Sequence, residues 1–597
     1  MIYNKYNDSI FLIKEHDAWV NFFRHRALRN HRIYAANQEL IQTVDDYFKQ
    51  DKDLIPDSAY YNFYLGLKKY VDSRKNDPFL TLRFGRILEE HYRHCPDDQN
   101  YSNDVNMWLA ESYSNLSTLS GEVIYTQLCY DKLKAILAPE CRSYPNYAFN
   151  LFESLKALTF VNWILAKVQT WDDFLKCIGR LDEALASDTL RKMAGDSIVS
   201  ECEKHRASID EDVVRNVYMK DTTVMDKAKA DSLMQMIIQR NLSNLNLSFL
   251  SYIRTLAIQL SLKQISPEEA VGKSLAKYQS EMGRIRKKRL TDLQLSETLK
   301  PYYTFFYLLD LANMPDSEKR RIVRLMCRDI ELLYQHRLDQ QAENEYVKYL
   351  YGLTSYHRIT KYLTEKERIH FVNSLNVATQ VTTYAHSVHV SQIAEVLMDG
   401  IITYRPDLLV GTLNHTTVAS VMKHRKEYMR FIHDAAMYHD VGKNSIISVV
   451  NNDYRPLTDE EFRIIKKHPE LGLKYLAIAP SLEKFHDTTL GHHKWYDGRG
   501  GYPDSFDNTK SPIRIMIDIV TLSDCLQAAT ERVGRNYKGE KTFDSVMKEF
   551  RRDAGVRYNP DLVALIDANP KIAEKLDNLV DDGWVEIYYR IYSKYFR

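Results

Sequence analysis

Apolar residues recur at every third and fourth position through most of the chain. Stretches such as MWLAESYSNLSTL (107–119), YAFNLFESLKALTFVNWIL (147–165) and SFLSYIRTLAIQLSL (248–262) show this spacing. It lines one face of a 3.6-residue helix, whereas a half-buried strand would alternate. Residues 1 to about 345 therefore read as helix after helix. Start signals agree: in SPEE (266–269), Ser266 is placed to cap, Pro267 to take the first helical position and Glu269 to reach back to the cap. The many tyrosines suit helix contacts that leave one polar end wet. No motif recurs cleanly at a fixed period of about 34 to 47 residues, so an irregular helical bundle and a degenerate α-solenoid both fit.

Composition strengthens the helical reading. The 20 glycines and 16 prolines among 597 residues are about half of typical usage, roughly 7% and 5%. That shortage argues against a turn-rich all-β fold and against Gly/Pro-rich disorder. Divided along the chain, 8 glycines fall in residues 1–399 and 12 in residues 400–597, so the scarcity belongs to the N-terminal part. Lys+Arg at 81 against Asp+Glu at 80 leaves a formal charge of +1. No global field then steers the chain to DNA or an anionic membrane, and an anionic ligand must be held locally. The basic run RIRKKR (284–289) reads as a solvated helix face. Seven cysteines, at 95, 129, 141, 177, 202, 327 and 525, form no CxxC pair. Their odd number suits reduced thiols of a cytosolic protein. The first twenty residues lack a signal-peptide core, and LTFVNWILA (158–166) is far short of the roughly 20 residues of a span. The expectation is a cytoplasmic protein with no membrane span.

Residues 346 to 597 change character. Ten of the 19 histidines lie between 386 and 493, less than a fifth of the chain. His386 opens a helical pattern, His439-Asp440 ends another, His468 follows EEFRIIKK, His492-His493 form a pair, and Asp524 sits in IVTLSDCLQAA. Imidazoles and carboxylates are ligands for Mn, Fe, Zn or Ni, and the lack of a cysteine cluster disfavours a thiolate zinc site. Six or seven such donors exceed the needs of one ion, and a carboxylate between two could bridge them. The bland alternative has equal standing on spacing alone. His-Asp also occurs at 16–17, 433–434 and 486–487, and His389, His415, His424, His433 and His486 read as ordinary surface or core histidines.

Three motifs in order decide between these readings. YHDVGKN (438–444), LTDEEFRIIKKHPELG (457–472) and HHKWYDGRGGYP (492–503) together resemble the HD-GYP family of metal-dependent phosphodiesterases, a branch of the HD superfamily, over roughly residues 375–570. The resemblance implies a compact all-helical metal domain within residues 346–597; with the helical reading of residues 1–345, taken as a sensor or interaction region, the expected architecture is all-α. It implies two divalent ions, commonly iron or manganese. His386, His439, Asp440 and Asp524 would hold one, and Asp440, His468, His492 and His493 the other. The substrate implied is a cyclic dinucleotide, typically cyclic di-GMP. Asp440 would bridge the ions, and Lys443, near the helix end announced by Gly442, would act on a phosphoryl oxygen.

The GYP segment is expected to be a stiff loop beside the paired histidines, with Arg499 and Tyr502 as candidate substrate contacts and Trp495 and Tyr496 as candidate stacking rings. The sequence also departs from the family pattern. Lys494 replaces the usual acid after the paired histidines, DGRGGYP carries one glycine more than the common form, and Asp518 stands where an arginine is frequent. An extra loop is expected around 404–415, and Thr382 replaces the glutamate of three-metal members. The altered GYP neighbourhood keeps two alternatives open: a catalytically weak nucleotide receptor that works through partner binding, and a phosphohydrolase acting on another nucleotide. A protein partner on the N-terminal helices or the GYP loop, and a homodimer, also stay open.

Overall fold

The computed structural model describes residues 16–72, 77–93, 99–136, 168–220, 226–244, 247–285, 292–335, 353, 357–450, 454–531, 540–581 and 583–595. The apolar stretch at 147–165 and most of the basic run at 284–289 lie outside these residues. The described residues are helical, with no sheet; two isolated β-bridges, Lys494 with Gly501 and Ala554 with Tyr558, are the extended pairings among them. None of their helices is long and apolar enough to cross a membrane.

The chain divides into two compact units. One comprises residues 41–288 and 297–314. In it, the ring of Tyr64 is buried against Tyr92, Tyr101 and Trp108 while its hydroxyl donates to Asp104 at 2.6 Å. That gives each end of the side chain the environment it needs. Further along, Val214, Met234, Ile237, Ile238 and Ile258 form a shared core. The helix Pro267–Ile285 begins where SPEE announces it, with Ser266 Oγ accepting from the Glu269 amide at 3.1 Å; the Glu269 carboxylate pairs with Lys273.

The other unit comprises residues 1–40, 289–296 and 315–597. The helices that carry or flank the proposed ligands are α1 (Val381–Tyr404), α2 (Arg425–Tyr438), α3 (Asp459–Ile465), α4 (His468–Leu476), α5 (His486–Gly491) and α6 (Arg514–Thr530). Apolar residues cover nearly the whole circumference of α1, and fourteen of its residues are buried. A helix apolar all round belongs in a core. It packs against α2, α6, Pro570–Asp581 and Gly583–Tyr595. Helix α3 starts on a capping box of Thr458 and Glu461. The same Glu461 accepts both guanidinium arms of buried Arg455, at 2.7 and 2.9 Å. This pair fixes where α3 begins and therefore where it delivers the chain to His468.

Candidate metal centre

Three of the expected ligands sit where a helix stops. His439 ends α2, His468 follows α3 and His492 follows α5. Each turns its Nδ1 back onto the carbonyl three residues earlier: His439 to Ala436 at 2.6 Å, His468 to Ile465 at 2.7 Å and His492 to Thr489 at 2.8 Å. Carbonyls near a helix C-terminus lack intrahelical donors, so these bonds satisfy the helix end as well as the imidazole. A carbonyl only accepts. Each Nδ1 must therefore carry the proton, and each Nε2 of a neutral ring keeps its lone pair. His386, on α1, is oriented by Gln527 on α6, whose amide nitrogen donates to Glu531 and whose oxygen thereby faces His386 Nδ1.

The free nitrogens converge on Asp440, one residue past His439. Its Oδ2 stands 3.2 Å from His386 Nε2 and 3.4 Å from His439 Nε2. Its Oδ1 stands 3.1 Å from His468 Nε2 and 3.7 Å from His492 Nε2. Asp524, on α6, faces His386 at 3.1 Å and His493 Nδ1 at 3.9 Å. Two groups of donors result: His386, His439 and Asp524, and Asp440, His468, His492 and His493.

Glycines let these elements meet. The 3-10 turn Val441–Ser445, which follows Asp440, crosses α4 at Gly442; a Cβ there would collide with the His468 carbonyl and the Gly472 amide. At Gly472 a Cβ would run into Thr489 of α5. The backbones bearing Asp440, His468 and His492 can therefore approach only without side chains at those two positions.

The charge state of the centre follows from burial and neighbours. Burial alone would raise the Asp440 carboxyl, but Lys443 and His439 hold it well below its ordinary range; Asp524, also buried, is held low by His386. Burial pushes His468 and His492 down, and His493 further, helped by its two neighbouring imidazoles. Burial would lower His386 too, yet the two carboxylates reverse the direction and push it up to about 9. Lys443 Nζ pairs with Asp440 Oδ2.

The residues of the group Asp440, His468, His492 and His493 fit a bound cation on two observations. The Nε2 atoms of His468 and His492 face each other at 3.1 Å, although both rings have committed their proton to Nδ1 and burial keeps both neutral. Two lone pairs opposed at that distance need a cation between them. Asp440 Oδ1 is buried and forms no hydrogen bond of good geometry, and a buried carboxylate oxygen without a donor is costly unless a cation meets it.

Other sequence-selected residues fall elsewhere. His389 bonds the Leu579 carbonyl, His415 reaches Glu427 and Ser420, His424 turns to the Ser420 carbonyl, and His433 pairs with Glu395. In the GYP loop, Gly501 has φ +81° and an added Cβ would strike the His493 carbonyl. Tyr502 packs its ring 4.5 Å from that of His493 and lines a cavity beside the centre. Arg499 is 87% exposed and pairs with Asp497 on the outside of the loop. The ring of Tyr496 is covered by the Arg514 guanidinium at 4.2 Å, and Trp495, at 37% exposure, lies over Gly500 rather than deep in a core. Gln527, which the sequence motifs do not single out, lies three residues after Asp524 on one helix face. That i, i+3 spacing is the signal by which sequence could have found it.

Comparison with known proteins gives a consistent picture for this region. The family model described as "HD domain" matches residues 397–562, which include every proposed ligand except His386. A cyclic di-GMP phosphodiesterase of Thermotoga maritima is 31% identical over 163 residues, covering 27% of this chain and 43% of the relative. The cyclic di-GMP phosphodiesterase response regulator RpfG of Xanthomonas campestris is 31% identical over 147 residues, 24% of this chain and 37% of the relative. A 3'3'-cGAMP-specific phosphodiesterase of Vibrio cholerae is 28% identical over 137 residues, 23% of this chain and 25% of the relative. The chain spans less than half the length of these relatives. With the paired histidines and the Gly-Tyr-Pro segment beside the ligand groups, the C-terminal region is an HD domain of the HD-GYP type.

Proposed function

We propose that this protein is a two-metal phosphodiesterase that hydrolyses a cyclic dinucleotide, cyclic di-GMP first among the candidates, under the control of its N-terminal helical region. The observation that carries the reading is Asp440, a single buried carboxylate whose two oxygens face two different imidazole groups. His386, His439 and Asp524 would hold one ion with Asp440, and His468, His492 and His493 the other. The donors are nitrogen and oxygen without thiolate, a set suited to iron or manganese. The names of the relatives supply the substrate class.

A pair of divalent ions, when bound, supplies Lewis acidity and an activated water at neutral pH. This chain's residues do the rest. The imidazoles fixed through Nδ1 aim their Nε2 atoms without reorganising, and Asp440 keeps its charge because Lys443 and His439 favour the anion. Lys443, on the 3-10 turn after Asp440, is placed to set its ammonium against a non-bridging phosphoryl oxygen or the leaving oxygen. Tyr502 packs on His493 and forms part of the wall against which the substrate would lie.

The deciding experiment is metal analysis of anaerobically purified protein combined with product identification on a panel of cyclic dinucleotides. Metal-replete protein that leaves every member of the panel intact, and that Asp440→Ala does not alter, would overturn the reading.

A further inference from the structure

The loop between His493 and Gly501 leaves one charge unexplained. Lys494 is 7% exposed and bridges through its backbone to Gly501. Among the described residues, neither an ion pair nor a hydrogen bond engages its ammonium. Its stem is covered, but the ammonium is not among the enclosed polar atoms that lack a partner; it reaches the cavity that the residue lines, and a cation held there without a partner of its own is placed to meet an anion. Lys494 lines a cavity of about 370 Å³ together with His492, His493 and Tyr502. Two more cations line the same cavity. Lys466 lies over the Phe462 ring at 4.8 Å, and Arg557 lies over the Trp495 ring at 5.5 Å. Among the described residues Asp504 is the one carboxylate in the lining, and Arg557 is shared with Asp553 outside it at 3.8 Å, which leaves Lys466 and Lys494 against Asp504. The excess of positive charge is therefore local to this cavity, in a chain whose net charge is only +1.

We propose that this cavity binds a second, non-scissile phosphodiester of the substrate, with Lys494 as the unpaired cation that contacts it and Lys466 and Arg557 at its rim. The proposal rests on reading the centre as a cyclic-dinucleotide phosphodiesterase, since such a substrate carries two phosphodiesters and only one is cleaved. Lys443 pairs with Asp440 and so belongs to the scissile phosphate. Lys494 is one residue beyond the proposed ligand His493 and pairs with neither ligand carboxylate. The cavity volume falls within the roughly 300–1,000 Å³ of sites that enclose a small ligand, enough for a phosphate and part of its nucleoside.

The test compares two substrates on the full-length, metal-loaded protein: cyclic di-GMP, with two phosphodiesters, and bis(p-nitrophenyl) phosphate, with one. In Lys494→Met, the ratio of KM for cyclic di-GMP to KM for the simple diester should rise about 10- to 100-fold, the loss expected for one charge-assisted contact. Lys494→Arg should restore the ratio to within about 3-fold of wild type. Metal content and thermal midpoint measured on the same samples show whether each variant is folded. An unchanged ratio, including a parallel loss on both substrates, would overturn the proposal. Binding of a hydrolysis-resistant phosphorothioate analogue of cyclic di-GMP separates the two readings. If wild type binds it about 10-fold or more tighter than Lys494→Met does, yet wild type hydrolyses no cyclic dinucleotide, the anion site stands and the enzymatic reading fails. If instead cyclic di-GMP is turned over and both proteins bind the analogue equally, the enzymatic reading stands and the anion site fails.

Discussion

Replacing Asp518 by Asn should stabilise the metal-binding unit at neutral pH, by about half as much at pH 5, and hardly at all below about pH 4. Asp518 is buried on α6, one and a half turns before the ligand Asp524, and its Oδ2 accepts from Asn559 Nδ2 at 2.8 Å. The oxygen of that same Asn559 caps the helix Pro560–Ala568. Burial pushes the Asp518 carboxyl from its ordinary 3.8 up to about 6, against the opposing effects of the Asn559 hydrogen bond and the Arg514 charge. That displacement is worth about 3 kcal/mol, an order-of-magnitude figure, of preference for the protonated form. Because the folded-state pKa is raised, the folded chain binds more protons than the unfolded one between these values. The stabilising contribution is full below about pH 4 and is lost as pH rises through about 6. Asn is neutral throughout and can still accept from Asn559. Thermal unfolding of both proteins at pH 5 and pH 7.5 should show a gap in favour of Asp518→Asn that widens with pH, to about 1–3 kcal/mol at the upper value. Comparing the two proteins at each pH cancels every other titrating group common to both. A variant as unstable as wild type at pH 7.5, or one whose disadvantage grows with pH, would refute the argument.

Changes at the centre should be graded. Asp440→Ala should lose both metals because both donor groups share that carboxylate, whereas His386→Ala should weaken mainly one; two full equivalents per chain in Asp440→Ala, by elemental analysis, would contradict the bridge. Lys443→Ala should keep its metal but lose about 10- to 1,000-fold in turnover, the scale of removing a charge-stabilising donor, and unchanged kcat would return Lys443 to a solvent-facing role. Gly442→Ala should force the turn after Asp440 away from α4, lowering metal content and the thermal midpoint together; normal metal binding there would mean that the approach of the two backbones is not required.

The helices were legible because their signals are local. Three- and four-residue spacing, the SPEE cap and the shortage of glycine each act over a few residues, and Pro267–Ile285 and Phe249–Ser261 begin where those signals put them. The ligand candidates were legible as residue types and motifs, but their arrangement was not. Which oxygen of Asp440 faces which imidazole depends on where α2, α3 and α5 stop and on the crossings at Gly442 and Gly472, and these are tertiary facts. Charge alone does not place a side chain, and Arg499 is an example. The sequence offers it as a phosphate contact; in the structure Asp497, two residues earlier, accepts from its backbone amide at 2.9 Å and pairs with its guanidinium, which is exposed while the Asp497 carboxylate is largely covered. Lys494 passed as a mere departure from a pattern because sequence carries no direct signal of burial for a lysine in a loop.

The backbone carbonyls that hold His439, His468 and His492 make the reading frame of each helix part of the chemistry. One residue inserted into the last turn of α2, α3 or α5 advances the chain by about 100° around the helix axis. It would swing the following imidazole away from its anchor while leaving composition, motif and hydrophobic pattern almost intact. Homologous sequences should therefore tolerate length changes in the segment 404–415 far more readily than in the three or four residues that precede each of these histidines, and a single-residue indel there would mark a chain that has kept the fold and given up the centre.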